Sequence, residues 1–169
     1  MDRSYRMNID KIYTLRDLKR YNNTPRIKDE SVAEHTAFVA LIVLQLHKEY
    51  DFNVERALKM ALTHDLGEIY ITDIPHNVKR MFPDVHIAIQ NAELQIYKNE
   101  FPNYFSYFFE LFKGKSIEAK IVQYADILSC KQYTKSEVQL GNKGYMKKVL
   151  DETLIRIKEM KPQLKEAKR

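Results

Sequence analysis

The 169-residue chain carries 28 Lys and Arg against 23 Asp and Glu, a net charge of +5, with four Gly and five Pro. One cysteine, Cys130, excludes an internal disulfide, and so little Gly and Pro disfavours many-turned β-structure. The first residues, MDRSYRMNID, are too polar for a signal peptide, and no apolar run reaches the roughly 20 residues of a membrane span. We therefore expect one all-α domain over residues 1–169, in the reducing cytoplasm.

The first predicted elements are two helices separated by a loop. Residues 8–20 form a short helix whose apolar face carries Ile12, Leu15 and Leu18. The loop YNNTPRIKDE, with Asn, Thr and Pro, follows. Ser31 and Glu34 form an S-x-x-E capping box, so Ser31 is the predicted N-cap of the next helix. That helix, VAEHTAFVALIVLQLH, is apolar on almost every face and is therefore expected to be central.

Helical spacing of apolar residues continues to the C-terminus. Further helices are predicted at about 54–64, after Asp73-Ile74-Pro75, and at about 84–100, 103–113, 116–138 and 144–160. The predicted apolar faces include Ala57, Leu58, Ala61, Leu62, Val149, Leu150, Leu154 and Ile157. The aromatic segment FPNYFSYFFELF is core or interface, with core preferred, and the basic tail 161–169 is expected to be a solvated surface. The metal-site core of the domain is placed at about 31–138.

Three ligand-type residues are expected to meet where two central helices come together. The helices at 31–47 and 54–64 are joined by a few residues, so they should pack antiparallel. His35 and His64 each lie roughly 15–20 Å from the turn, on the same side of it, at 1.5 Å per residue. His64 is followed directly by Asp65. A fourth residue, Asp126, is an acid on an otherwise apolar helix and is unfavourable to bury without a partner.

Two imidazoles and two carboxylates suit a divalent ion of intermediate hardness, such as Mn²⁺, Fe²⁺, Co²⁺, Ni²⁺ or Zn²⁺, with Mg²⁺ as a harder alternative. Each residue alone has a simpler interpretation. A histidine on an apolar helix is usually a core residue, and Asp126 could be a surface acid or the partner of a buried Arg or Lys. The predicted convergence of all four favours the metal.

These residues resemble the HD superfamily of metal-dependent phosphohydrolases over roughly residues 10–140. The pattern H…HD…D is met by His35, His64, Asp65 and Asp126. Further features are similar to the bacterial 5′-deoxynucleotidases and their short phage-type relatives: VAEH at 32–35, HDLGE at 64–68, DIPHNVK at 73–79, and the pair Arg20-Tyr21 about 15 residues before the first histidine.

The resemblance implies an all-helical domain whose four motif residues hold the ion. It implies Glu68 and Asp73 beside the ion, acting on the attacking water and the nucleotide. Arg20 would then grip phosphate, Tyr21 would pack against the base or sugar, and Lys79 would be a second phosphate charge. The alternatives are a solvated acid for Glu68, a helix cap for Asp73 and surface roles for the other three. Well-known members carry Trp in place of Tyr21, which leaves base and sugar selectivity open.

The leading predicted function is hydrolysis of deoxynucleoside 5′-monophosphates to nucleoside and phosphate. The same site on a dNTP would release triphosphate, with Arg20, Lys79 and Lys19 as candidate cations for the longer phosphate tail. A different class, a basic helical nucleic-acid-binding module, is compatible with the charge, but no recognition motif accompanies it. The expected partner is a nucleotide, with no membrane and no nucleic acid. Because family members are often dimers, a homodimer or higher homo-oligomer is also expected.

Overall fold

The computed structural model describes residues 9–74 and 76–169, and helices make up most of them. In chain order the α-helices are α1 (Ile9–Tyr13), α2 (Val32–Leu46), α3 (Val54–Thr63), α4 (Glu68–Ile71), α5 (His76–Met81), α6 (Pro83–Glu100), α7 (Phe105–Lys113), α8 (Ile117–Gln139) and α9 (Tyr145–Met160). Two 3₁₀ segments, Thr14–Arg16 and Lys161–Ala167, follow α1 and α9. The β-pairing within the described ranges consists of two isolated bridges, Lys19–Ser31 and Tyr50–Lys168. The all-α prediction is confirmed.

The main core lies where α2, α3 and α8 pack together. Small and β-branched residues dominate it, which lets the helix axes approach closely. Fully buried members are Val39, Val43, Ala57, Met60, Ala61, Ala119, Ile121 and Ala125. The predicted capping box of Ser31 and Glu34 is present at the start of α2. The start of α2 lies beside the end of α3, as the antiparallel prediction requires.

A second cluster covers the other end of the bundle. It joins the N-terminal segment to α6 and α7 through the buried side chains of Leu15, Val32, Leu66, Tyr97, Phe101 and Phe108. The aromatic segment 101–112 thus contributes mainly to the core, with Phe109 partly exposed. Ile12 and Leu18 pack against the same cluster, as predicted.

The predicted helix at 8–20 is wrong in its second half. The α-helix ends at Tyr13, and a 3₁₀ turn carries the chain to Arg16. Beyond it, extended pairing replaces helix: Arg20 N–H donates to the Glu30 carbonyl at 2.9 Å, and Val32 N–H donates to the Leu18 carbonyl at 2.9 Å. Arg20 therefore does not end a helix. The first residue of that prediction, Asn8, and Pro75, predicted in the first turn of α5, lie outside the described residues.

Single residues of the predicted apolar helices are exposed. The helix α2 contributes to the main core, as expected of a central helix, but Phe38, Leu41 and Leu44 are exposed along one side. Leu62 on α3 and Leu154 on α9 are exposed as well. On α9 the buried positions are Met146, Thr153 and Met160.

The basic tail 161–169 is anchored on the bundle, while its charged residues are exposed, in agreement with the expected solvated surface. Leu164 is fully buried in the main core. Asp51 N–H donates to the Ala167 carbonyl at 2.6 Å, and the Arg169 guanidinium lies 3.2 Å from the Asp51 carboxylate. The tail is thus no free basic arm for nucleic acid. Within the described ranges, no helix has both the length and the apolar content needed to cross a membrane.

The loop at 21–30 is tied to α8 by a buried carboxylate. Glu137, 1% exposed, accepts hydrogen bonds from the backbone N–H of Ile27 at 2.7 Å and of Lys28 at 2.8 Å. Asn142 donates to the same carboxylate at 3.0 Å and to the Pro25 carbonyl at 2.8 Å. This network fixes the loop that carries Tyr21 into the candidate site.

Glu137→Gln is expected to lower the free energy of unfolding by about 1.5–3 kcal/mol at pH 7. An amide has one acceptor oxygen, so its NH₂ group would face one of the two backbone donors. Burial would raise the pKa of Glu137, but the Ile27 N–H, Asn142 and the Lys28 N–H lower it below its ordinary 4.5. A carboxylate with a lowered folded pKa stabilises the fold above its unfolded pKa, and that contribution is lost as the pH falls through the folded pKa.

Urea unfolding of both proteins at pH 7 and at successively lower pH measures this difference, which should shrink on acidification. The exposed Glu159→Gln serves as the matched control and should stay within about 0.5 kcal/mol of the unmodified protein. Equal stability of Glu137→Gln and the unmodified protein at pH 7 would contradict the anchoring role.

Candidate active site

The four predicted ligand residues come together where α2, α3 and α8 meet. The Nε2 atom of His35 lies 3.1 Å from Asp126 Oδ1 and 3.9 Å from Asp65 Oδ2. The Nε2 atom of His64 lies 3.1 Å from Asp65 Oδ2. The ligand atoms of His35, His64 and Asp126 are all within 4.8 Å of one another. Residues far apart in sequence thus present two imidazole nitrogens and two carboxylates to one point.

Neighbouring residues hold the backbone that carries these side chains in place. His35 is in the first turn of α2, directly after the capping box, and its side chain is 1% exposed. The end of α3 is held by Tyr97 on α6, whose hydroxyl lies against the Thr63 carbonyl and 2.8 Å from the His64 carbonyl. Gly67 permits this approach, because a Cβ there would lie 3.2 Å from the Tyr97 ring. Tyr97 was not among the residues predicted for the site.

On both imidazoles the hydrogen bonds are made at Nδ1, and on His35 this atom also contacts the Arg20 guanidinium. His64 Nδ1 lies 2.7 Å from the Ala61 carbonyl, which only accepts, so Nδ1 carries the proton. His35 Nδ1 lies 3.2 Å from Ser129 Oγ. Both Nε2 atoms are buried and make no hydrogen bond of acceptable geometry among the described residues. A hydrogen bond at the other ring nitrogen orients a metal-binding histidine.

The electrostatics of the cluster favour a cation. Burial would lower the pKa of His64, but the Asp65 and Asp126 carboxylates raise it to about 9. Burial would raise the pKa of Asp65, but the nearby histidines and Arg20 hold it at about 2. The pKa of Asp126 is also held well below its usual range, chiefly by His35 against the effect of burial. The carboxylates of the cluster thus stabilise positive charge beside the imidazoles, and the donor set fits a divalent ion.

Glu68 lies one turn beyond the ligand pair, at the start of α4. Its Oε2 is buried and has no hydrogen-bond partner among the described residues. Burial raises the pKa of Glu68 well above its usual range, and the negative charges of Asp65 and Asp73 act in the same direction. A carboxyl group with a buried oxygen that has no hydrogen-bond partner, in a cavity shared with other charged groups, is a candidate for proton transfer.

Arg20 reaches the same cluster from the N-terminal segment. Its Nη1 contacts His35 Nδ1 and lies 3.3 Å from Glu30 Oε2. Its Nη2 lies 3.5 Å from Cys130 Sγ. The guanidinium also lies over the Tyr21 ring, 5.5 Å from the centroid. Arg20 therefore lies beside the candidate metal ligands, as predicted, although the local structure around it is extended.

Asp73 and Tyr21 are joined directly. Asp73 Oδ2 accepts a hydrogen bond from the Tyr21 N–H at 2.9 Å, and Asn22 Nδ2 donates to the Asp73 carbonyl at 3.2 Å. Tyr21 and Thr72 are the described non-glycine residues with positive φ, 54° and 63°. The bond between Asp73 and Tyr21 therefore holds two strained segments together. The Tyr21 ring is stacked on Tyr133 with centroids 5.1 Å apart.

A cavity of about 470 Å³ opens onto this cluster. Lys79 lines it, as predicted, but Lys19 does not; its ammonium lies 4.0 Å from the Asp29 carboxylate. The opposite wall comes from α5 and α9, whose contribution the sequence reasoning missed: Arg80, Tyr145, Val149, Glu152, Thr153, Ile155 and Arg156. Alternation of apolar and charged residues on α9 gave no signal for a pocket. Thr24 and Cys130 were also missed.

Comparison with known proteins identifies a matching family and several similar proteins. A family model described as HD domain matches residues 12–168. The 5′-deoxynucleotidase VV1113 of Vibrio vulnificus (strain YJ016) is 30% identical over 143 residues, covering 76% of this chain and 74% of that protein. The PH0347 protein of Pyrococcus horikoshii OT3 is 33% identical with a TM-score of 0.76, covering 90% of this chain and 88% of that chain.

A more distant structure shares the fold alone. The cyanophage S-2L HD phosphohydrolase DatZ, solved with dA and one catalytic Zn²⁺ ion, is 20% identical with a TM-score of 0.60, covering 90% of this chain and 96% of that chain. The family match spans nearly all of the residues described here, and it includes every member of the H…HD…D pattern. The chain belongs to the HD domain family.

Proposed function

We propose that the chain hydrolyses 2′-deoxynucleoside 5′-monophosphates to deoxynucleoside and phosphate with a bound divalent metal ion. The observation that carries the proposal is the pair of buried Nε2 atoms of His35 and His64, each 3.1 Å from a carboxylate oxygen without a hydrogen bond of acceptable geometry, at a cavity that Glu68 also lines. Relatives such as the Vibrio vulnificus protein bear the name 5′-deoxynucleotidase, which supports the choice of substrate. HD phosphohydrolases are metal-dependent enzymes.

The residues that would hold the ion are His35, His64, Asp65 and Asp126. When bound there, a divalent ion supplies Lewis-acid polarisation of a phosphate group and lowers the pKa of a water molecule. The protein contributes the orientation of its ligands. The Ala61 carbonyl and Ser129 fix the two imidazole rings, so neither ring has to reorganise during the reaction.

Glu68 is the proposed general acid and base. In its protonated state it can donate to the departing O5′ of the nucleoside, and in its ionised state it can accept a proton from the attacking water. Burial and the negative charges of Asp65 and Asp73 raise the pKa of Glu68 and favour its protonated state, whereas a bound cation would favour the ionised state. The backbone of Glu68 is tied to the ligand segment, because the Glu68 N–H donates to the Asp65 carbonyl at 3.1 Å.

Asp73 is proposed to act mainly on the substrate-binding loop. One of its carboxylate oxygens is used by the Tyr21 N–H, so this acid sets the position of Tyr21 and, next to it, Arg20. Arg20 would bind the substrate phosphate, for which the planar guanidinium is well suited, and Lys79 would add a second positive charge. The Tyr21 ring, held flat against Tyr133, would form a wall for the sugar or the base.

Arg20→Ala is expected to raise KM or lower kcat/KM by about 10- to 100-fold for every base alike, because a charge-assisted contact to phosphate is lost. Tyr21→Ala is expected to change the ranking among bases, or between deoxyribose and ribose, without a uniform loss. Steady-state kinetics with the 5′-monophosphates of all four deoxynucleosides and of adenosine test both variants. Unchanged parameters for Arg20→Ala on every substrate would place residues 20–21 away from the substrate.

A second candidate reaction uses the same site on dNTPs, releasing triphosphate. The observation that favours it is the set of cations lining the cavity in addition to Arg20: Lys79, Arg80 and Arg156. A triphosphate needs more positive charge than a monophosphate. The two reactions differ in their inorganic product, so the products separate them.

A nucleotide panel tests the proposed function. The metal-loaded protein is incubated with dNMPs, NMPs and dNTPs, and free phosphate and triphosphate are measured separately. The proposal expects phosphate from dNMPs, in preference to NMPs, and no triphosphate from dNTPs. Triphosphate release from dNTPs with no turnover of dNMPs would replace the leading reaction by the second one, and no turnover of any nucleotide would refute both.

We also propose a homodimer or higher homo-oligomer and a cytoplasmic location. The exposed apolar residues Phe38, Leu41 and Leu44 on α2 support self-association, and the free thiol of Cys130 supports a reducing compartment. Light scattering coupled to size-exclusion chromatography tests the first proposal: a mass of 20.1 kDa at all concentrations would contradict it.

A further inference from the structure

Behind Arg20 lies a second acid that takes no part in the predicted ligand set. Glu30 is 7% exposed, and its Oε2 lies 3.3 Å from Arg20 Nη1. Both side chains are largely removed from water, with 13% of the Arg20 side chain and 8% of the Glu30 side chain exposed. Among the described residues, Arg20 is the hydrogen-bond partner of this carboxylate. Burying a carboxylate is unfavourable unless the group is paired, and the partner of Glu30 is Arg20.

The backbone holds this pair in a fixed register. The Arg20 N–H donates to the Glu30 carbonyl at 2.9 Å, and the neighbouring residues Lys19 and Ser31 form a β-bridge. Ser31 is also the N-cap of α2, the helix that carries His35. One short segment therefore sets the positions of Glu30, of Arg20 and of a candidate metal ligand together.

The positive charge of Arg20 is attracted by carboxylates on two sides. On one side are the Asp65 and Asp126 carboxylates, whose attraction acts on the guanidinium across the site. On the other side is Glu30. Without Glu30, the net attraction would draw the guanidinium toward the two ligand carboxylates, where it would compete with a metal ion and turn away from an incoming phosphate.

We propose that Glu30 is a positioning residue. It holds the Arg20 guanidinium at the edge of the candidate metal ligands, with N–H donors left free for the phosphate of the substrate. The inference rests on the proposed function, since it assigns Arg20 to phosphate binding. It predicts an effect on the affinity for phosphate and for the nucleotide, whereas the metal ligands and Glu68 keep their places.

Glu30→Gln keeps the shape of the side chain and removes its charge. Kinetics at pH 8 are suitable, because burial raises the pKa of Glu30 to about 7 while Arg20 opposes the shift. KM for deoxynucleoside 5′-monophosphate should rise by about 10- to 100-fold, the equivalent of one charge-assisted hydrogen bond, with kcat changed by less than about threefold. Metal content should remain that of the unmodified protein.

A double-mutant cycle separates positioning from general damage. In the Arg20→Ala background, Glu30→Gln should cause no further rise in KM, because the group that it positions is gone. Glu55→Gln, the same chemical change in an exposed ion pair with Lys59 on α3, is the matched control and should leave KM unchanged. An unchanged KM for Glu30→Gln, or an equal rise in both backgrounds, would overturn the proposal.

Calorimetric titration of the metal-loaded proteins with inorganic phosphate keeps this test independent of turnover. Weaker phosphate binding by Glu30→Gln than by the unmodified protein supports the positioning role, and equal binding overturns it. If the unmodified protein hydrolyses no nucleotide, the proposed function fails on its own, and the phosphate titration still decides the role of Glu30.

Discussion

Asp65→Ala is expected to remove both the bound metal and the hydrolytic activity, the latter by on the order of 10³-fold or more. Asp65 Oδ2 lies within 3.9 Å of Nε2 of both histidines, so its loss takes a negative charge from the centre of the ligand set. The helical fold should survive, because removing this buried carboxylate leaves no backbone group without a partner. Metal analysis by mass spectrometry, phosphate release from a deoxynucleoside 5′-monophosphate and circular dichroism measure the three properties.

Asp84→Ala, a change of the same type in the exposed first turn of α6, serves as the control and should retain metal and activity. Asp65→Ala protein that keeps one tightly bound ion and normal turnover would show that this carboxylate lies outside the coordination sphere.

Glu68→Gln is expected to lose rate while keeping its metal, which separates chemistry from ion binding. The amide preserves the shape of the side chain but neither donates a carboxyl proton nor accepts one from water, so kcat should fall by on the order of 10²–10⁴-fold. Metal content and KM should change little, because Glu68 is not in the ligand set.

Glu100→Gln, an exposed glutamate at the end of α6, provides the comparison and should retain full kcat. Retention of kcat within about threefold in Glu68→Gln, or loss of its metal with a normal rate after metal is restored, would assign this residue a different role.

The sequence predicted the parts of the fold that depend on local signals. The capping box at Ser31 and Glu34 specified where α2 begins, and hydrophobic spacing located α3, α6, α8 and α9 to within a few residues. The HD family, the all-α class and the enzyme class are confirmed. The meeting of His35, His64 and Asp65 was predicted from two adjacent helices and a short turn. In an antiparallel pair, residues at equal distances from the turn lie side by side.

Contacts between residues far apart in the chain were harder to predict from the sequence. Periodicity favoured a helix through Arg20, but backbone pairing with residues 30–32 replaced it with extended backbone. The charged residues of the basic tail are exposed, as expected, but its anchoring in the core by Leu164 was not predicted. Such outcomes depend on partners that no local window contains.

The site showed the same division. Residues with a chemical signature were found, and residues that shape or support the site were not. Tyr97 holds the end of α3 and Arg156 lines the cavity, yet each is an ordinary member of an amphipathic helix in the sequence. Glu30 is similarly inconspicuous, since its role depends on burial against Arg20.

Titration of metal into chelator-stripped protein tests the central claim most directly: that these two histidines and two aspartates form one catalytic ion site. Phosphate release from a deoxynucleoside 5′-monophosphate is followed while Mn²⁺, Co²⁺ or Zn²⁺ is added. The stripped protein should be inactive, and for at least one ion the rate should rise in proportion to bound metal and reach its maximum at one ion per chain. Full turnover by the stripped protein, or saturation with metal without any hydrolysis, would contradict the account.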